Sequence, residues 1–176
     1  MRQLAPYAVL YLLAIACAAG VATASQAAEA PLAVQIGYLG YRPDPGPLLS
    51  NVIPEPADAG QRGAELAIID SNSTGAFLNQ RYSLTAATAD SPDALLAAAQ
   101  AQHAQGLRLF VVNAPAASLR QLSAALPDSL LFNAGSPDDS LRSTDCLGNV
   151  LHTLPSRAML ADALAQFLVE IGRAHV

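Results

Sequence analysis

The sequence has no lysine and no tryptophan, only two cysteines, and few charged (13%) or aromatic (5%) residues over its 176 positions. Scarce charge beside 52% hydrophobic residues excludes a disordered chain, which stays unfolded through low hydrophobicity and high charge. The basic residues are all arginine, they are scattered, and the net charge is -5. With no basic stripe to neutralise phosphates, nucleic acid is excluded as a partner. Alanine is far above ordinary usage, which raises apparent hydrophobicity without adding much core volume. The length suits one α/β domain of ordinary size.

The common chemical motifs are also missing. There is no GxxxxGK[ST] phosphate loop and no GxSxG nucleophile elbow. Gly37-Tyr38-Leu39-Gly40 ends a strand but lacks dinucleotide-loop spacing and leads into prolines rather than a helix. Asp138-Asp139 has no glycine turn or ordered oxygen ligands around it and reads as a solvated loop. His103 lies in a polar helical stretch, and His152 has no His or Cys at ligand spacing. No metal, cofactor or nucleophile–base pair is expected, so the chain reads as a binding module and not an enzyme. Asn72-Ser73-Thr74 matches a glycosylation triplet at a helix end, a match common by chance.

What is present begins with a targeting pattern. Arg2 precedes an apolar run from Tyr7 to Val21, and Ala22-Thr23-Ala24 is a small-x-small cleavage site before Ser25. Residues 1–24 read as a secretory signal peptide whose removal leaves no stable membrane insertion. Cys17 is preceded by a poor lipobox without leucine. After cleavage Cys146 is the sole thiol, which predicts a buried side chain or a partner outside this chain.

Beyond the signal, strands and helices alternate. Leu32–Tyr41 reads as a strand, followed by a proline-rich loop to Pro56. Asp58 stands where it can cap a helix carrying Gly60, Ala64, Ala67 and Ile68 on one face, with Gly75 as the stop. Arg81–Thr85 is a second strand, and Ser91-Pro92 opens a helix that Gly106 ends. Leu107–Val112 reads as a strand buried on both faces. A helix from Pro115 to Leu126, strands at Ser129–Phe132 and Asn149–Thr153, and a Ser156-capped helix to about Val169 complete the pattern. The expected fold is α/β: a three-layer parallel sheet in the order 2-1-3-4-5 with helices on both faces. Ligands of such sheets bind beyond the carboxyl ends of the strands where the winding reverses, here between strands 1 and 3. The loops at that edge supply Tyr41, Asn113, Gly135 and Ser136 as candidate ligand-binding residues. The helix opening at Pro115 adds free backbone N–H groups.

The segments VQIGYLG (Val34–Gly40), RGAELAIIDSNSTGAFLNQRYSL (Arg62–Leu84) and HTLPSRAMLADALAQFL (His152–Leu168) follow one another behind the secreted start. In that order they resemble the type I periplasmic solute-binding proteins, the leucine/isoleucine/valine-binding family of ABC uptake systems. NVLHTLPSRAMLADALAQ (Asn149–Gln166) looks most like the branch associated with pyrroloquinoline-quinone-dependent alcohol dehydrogenases. The resemblance implies a periplasmic receptor that binds a small molecule and delivers it to an ABC permease. The alternative it implies is a non-transport accessory protein of quinoprotein alcohol oxidation. Amino-acid binders of the family place hydroxyls after strand 3, whereas this chain reads Asn113-Ala114-Pro115-Ala116-Ala117. That departure puts an α-amino-acid ligand in question, but not the fold.

The resemblance further implies two lobes closing about a hinge. Residues 25–155 would then be the N-terminal lobe and 156–169 the first helix leading to a second lobe, making the chain a fragment that binds its ligand weakly or not at all and exposes apolar surface. Glu170–Val176 (EIGRAHV) breaks the helical pattern at Gly172 and is also the translation of GAGATCGGAAGAGCACACGTC, a string resembling a sequencing adapter. These seven residues are expected to be non-native. Mass spectrometry of secreted protein should give Ser25 as the first residue; an intact Met1 or a lipidated Cys17 contradicts the signal-peptide reading.

Overall fold

The computed structural model describes residues 30–42 and 56–173, and all its regular elements lie in the compact unit Leu32–Val176. Residues 1–29, on which the signal-peptide expectation falls, most of the proline-rich loop and the last three residues lie outside the described residues. The elements run β1 (Leu32–Tyr41), α1 (Ala59–Gly75), β2 (Gln80–Ala89), α2 (Pro92–Ala104), β3 (Leu109–Asn113), α3 (Ala116–Ala125), β4 (Leu130–Asn133), β5 (Val150–His152) and α4 (Arg157–Arg173). Short 3-10 turns follow α1 (Ala76–Leu78) and β4 (Asp139–Arg142). The five strands form one parallel sheet in the order β2-β1-β3-β4-β5, as the sequence pattern predicts.

The local signals explain most boundaries. Ser91 caps α2, its hydroxyl accepting from Ala94 N at 3.4 Å, and Pro92 takes the first helical position. Gly106 ends the segment at φ +97°, a conformation that costs a residue without Cβ nothing. Asp58, in contrast, makes no capping bond. Arg62 Nε draws its carboxylate away at 2.9 Å, and Gln61 bonds Glu65 instead. The chain turns after Gly75 through a 3-10 turn closed by Asn79 at φ 53°. α4 continues through Gly172 to Arg173, past the predicted stop near Val169.

One face of the sheet is packed with buried apolar side chains. Leu39, Phe110, Val112 and Leu131 meet Leu95 and Ala99 of α2 and Leu119 and Leu122 of α3. Leu141, from the 3-10 turn inside the long polar loop, joins this core. α3 is closed at its C-terminus by Asn149, whose Nδ2 donates to the carbonyls of Leu126 (3.0 Å), Ser129 (3.2 Å) and Ser123 (3.3 Å). Among the described residues, α1 is the helix packed on the opposite face, over β1 and β2. β3 is therefore not buried on both faces: Phe110 and Val112 are buried, while Leu109, Val111 and Asn113 are half-buried. α4 leaves the sheet with Leu160 (54%), Leu164 (58%) and Phe167 (61%) exposed. No helix among the described residues is long and apolar enough to cross a membrane.

α1 is pinned to β2 by Asn72. Its Nδ2 donates to Tyr82 O at 2.9 Å and its Oδ1 accepts from Tyr82 N at 2.8 Å, so the glycosylation triplet holds an asparagine already used by the fold. Asn72→Ala leaves both Tyr82 backbone groups without that partner at a half-buried position. The expected loss is about 1–3 kcal/mol, read as a lower urea midpoint with an unchanged slope.

Candidate functional site

β1, β3 and β4 end at the same edge of the sheet in Tyr41, Asn113 and Asn133. From β1 the chain winds through α1 to β2 on one side, and from β3 through α3 to β4 on the other. The reversal leaves a crevice between the ends of β1 and β3. A cavity of about 350 Å³ occupies it, lined by Tyr38, Tyr41, Arg42, Gly60, Thr88 and Asn113 among others. A second cavity of about 430 Å³ lies under α1 against the open sheet face, lined mainly by apolar groups such as Ile36, Ile68, Leu84, Val111 and Phe132. Tyr38, Gly60 and Asn113 line both.

Asn113 is the meeting point. Its Nδ2 donates to the hydroxyl of Tyr38 at 3.3 Å, joining the ends of β3 and β1. α1 approaches from one side at Gly60, where an added Cβ would overlap the Tyr38 hydroxyl and lie 2.7 Å from Asn113 Nδ2. The loop after β4 approaches from the other at Gly135, where a Cβ would lie 2.5 Å from Ala114 N and 2.6 Å from Asn113 Oδ1. Two close backbone approaches hold this amide at the crevice.

Of the predicted residues, Tyr41 and Asn113 line the smaller cavity, and Gly135 packs directly on Asn113. Ser136 is buried, its N–H bonded to Asn133 Oδ1 at 2.9 Å, and neither Gly135 nor Ser136 lines these two cavities. α3 starts at Ala116 with no side chain capping its first turn, which also lines neither cavity. Sequence reading missed Tyr38, Gly60 and Thr88. Gly60 was legible as one end of the small-residue face Gly60/Ala64/Ala67, which permits close approach. Tyr38 gave no signal separating it from a core aromatic.

The polar loop after β4 is ordered by its own hydrogen bonds. Asp138 accepts from Ser140 N at 3.0 Å and Asp139 from Ala158 N at 3.1 Å, so the pair caps the 3-10 turn and α4 while staying open to solvent. Hydrogen bonds from Ser140 to Asp138 and from Ser156 to Asp139 hold both carboxyls below their ordinary range. His103 is likewise engaged, with Nε2 at 2.8 Å from Asp128, whose other oxygen meets Arg108 Nε at 3.1 Å. Cys146 is exposed, which corrects the buried-thiol alternative. Burial, reinforced by Arg142, pushes the pKa of His152 down. Among the described residues no cluster of His, Cys, Asp and Glu could hold a metal ion.

Comparison with solved structures identifies the fold. An ABC transporter substrate-binding protein from Desulfitobacterium hafniense superposes with a TM-score of 0.57 at 20% identity, covering 81% of this chain and 39% of that one. A structure of an ABC transporter substrate-binding protein from the same organism in complex with Leu gives 0.58 at 18%, with the same coverages. The branched-chain amino acid transporter substrate-binding protein LivJ from Streptococcus pneumoniae, in complex with isoleucine, gives 0.51 at 15%, covering 72% of this chain and 34% of that one. The chain has the type I periplasmic-binding fold. No protein-family model and no curated sequence matches it. The type I periplasmic-binding fold places β1 and β3 side by side, and that adjacency builds the crevice around Asn113.

Gly135→Ala tests the close approach. Its Cβ would press on backbone at Ala114, which cannot swing away as a side-chain end can. The expected cost is about 1–3 kcal/mol, read as a lower thermal midpoint. Unchanged stability would show that the loop does not pack on Asn113.

Proposed function

We propose that this chain is the solute-binding component of an ABC-type uptake or sensing system, working in the periplasm after removal of residues 1–24 and handing a small molecule to a permease. The observation that carries the reading is Asn113, held by Tyr38, Gly60 and Gly135 inside a cavity of about 350 Å³ at the winding reversal of a parallel sheet. Tyr41 and Asn113 contact the solute directly, and Gly135 and Ser136 shape the wall behind Asn113. The fold is that of proteins named for substrate binding to ABC transporters, two of them solved with leucine or isoleucine. The chain spans 39% of the first two, so solute and permease belong to the proposal.

Thermal unfolding of the full chain with millimolar leucine, isoleucine, short alcohols, aldehydes or a quinone cofactor tests this. A ligand present at a hundred times its Kd should stabilise by about 2.7 kcal/mol. Amino-acid binding supports the receptor, whereas binding of alcohols or the quinone alone supports an accessory of alcohol oxidation. Asn113→Ala should weaken the interaction roughly tenfold, the worth of one hydrogen bond in a partly buried site. If no probe shifts the transition even when raised to concentrations that would saturate a weak site, the binding reading fails for this chain; if Asn113→Ala binds as tightly as the parent, the site assignment fails.

A further inference from the structure

We propose that Asn133 and His152 form a proton-sensitive clamp on the loop 134–136, and that a proton on the ring releases this loop, which backs Asn113 at the crevice. Its regulatory meaning rests on the binding reading above, whereas the clamp itself rests on hydrogen-bond geometry.

Asn133 is fully buried at the end of β4, and each bonding position of its amide is filled. Nδ2 donates to Ser136 O at 2.7 Å and to His152 Nδ1 at 3.0 Å. Oδ1 accepts from the N–H groups of Ser136 at 2.9 Å and Gly135 at 3.2 Å. Those two backbone donors fix the amide's orientation, since turning it over would set Nδ2 against N–H groups. His152 Nδ1 must therefore accept, which leaves the ring proton on Nε2. The main-chain carbonyl of Asn133 accepts from Thr153 N at 3.1 Å and Thr153 Oγ1 at 2.9 Å, keeping β5 and its histidine beside the amide.

A proton on Nδ1 sets N–H against N–H. The amide cannot turn to offer its oxygen without abandoning Gly135 and Ser136. One side of the clamp must open, and the loop it holds packs on Asn113 through Gly135. Charged groups surround this region: Arg142, Asp138 and Asp139 at the 3-10 turn, Arg120 on α3, Asp145 beyond the turn and Arg157 on α4. Asp138 and Asp139 are engaged with backbone N–H groups, and Asp145 with Arg120 at 2.7 Å. Arg142 is the one that acts on the ring, and with burial it opposes the proton. A histidine disfavoured in this way contributes stability that is present above its ordinary value of 6.5 and is lost as pH falls through the lowered folded-state value.

NMR titration of the full chain from about pH 8 to about pH 5 tests the clamp without any ligand. The His152 ring should hold its proton on Nε2 until it titrates below the ordinary histidine value. The amide signals of Gly135 and Ser136 should move with the same midpoint, and their exchange protection should fall severalfold while that of Val112 and Leu131 holds. In His152→Gln the side-chain oxygen can accept from Asn133 and takes no proton, so the response of Gly135 and Ser136 should vanish. Should that variant not fold, the parent titration decides alone. Amides at 135 and 136 that ignore the His152 midpoint overturn the proposal. Because no solute is added, the result stands whatever the ligand screen finds, and a working clamp in a chain that binds no probe would leave the binding reading alone at fault.

Discussion

The parallel pairing of β1 with β3 is the constraint on which the rest depends. Gly40 stands opposite Asn113 in that register, so the ends of two strands far apart in sequence share one edge. A right-handed crossover toward β2 puts α1 on one face, and crossovers in the opposite direction put α2 and α3 on the other. The crevice is a consequence of those windings. So is the unequal cover of the sheet, because among the described residues a single helix lies on one face and two lie on the other.

That inequality shapes the chemistry at the site. The face under α2 and α3 is filled by leucine, valine and phenylalanine, and it supplies a rigid platform. On the face under α1, the small residues Gly60, Ala64 and Ala67 let the helix sit close to Tyr38 and Asn113. A polar cavity therefore adjoins an apolar one, with Asn113 between them. A side-chain amide suits that position because it donates and accepts without carrying a charge that would need a counter-ion.

Asn133 has a comparable role at the end of the neighbouring strand. An asparagine buried in a core of leucines costs stability unless every polar atom is bonded, and here the fold bonds all of them. The result is a loop of fixed shape that begins where β4 ends. Its titratable partner is His152, whose Nδ1 lies 3.0 Å from the Asn133 amide. Ser136, read from the sequence as a hydroxyl facing the ligand, serves the loop mainly through its backbone.

The sequence by itself determined the element order, the Ser91 and Ser156 caps and the Gly106 stop, because these follow from residues within a few positions of one another, and the strand order 2-1-3-4-5 expected from the alternation of strands and helices agrees with the sheet. It misplaced Asp58 as a cap, because the competition from Arg62 is set by rotamer and not by spacing. It named Tyr41 and Asn113 because strand ends at a winding reversal can be located from topology alone. It could not reveal that Asn113 meets Tyr38 from 75 residues away, or that Gly60 and Gly135 close on the same amide. It likewise could not turn Asn133, Ser136 and His152 into one network. Such contacts depend on sheet register and on the depth at which helices and loops seat against the strands, and only tertiary packing decides those distances.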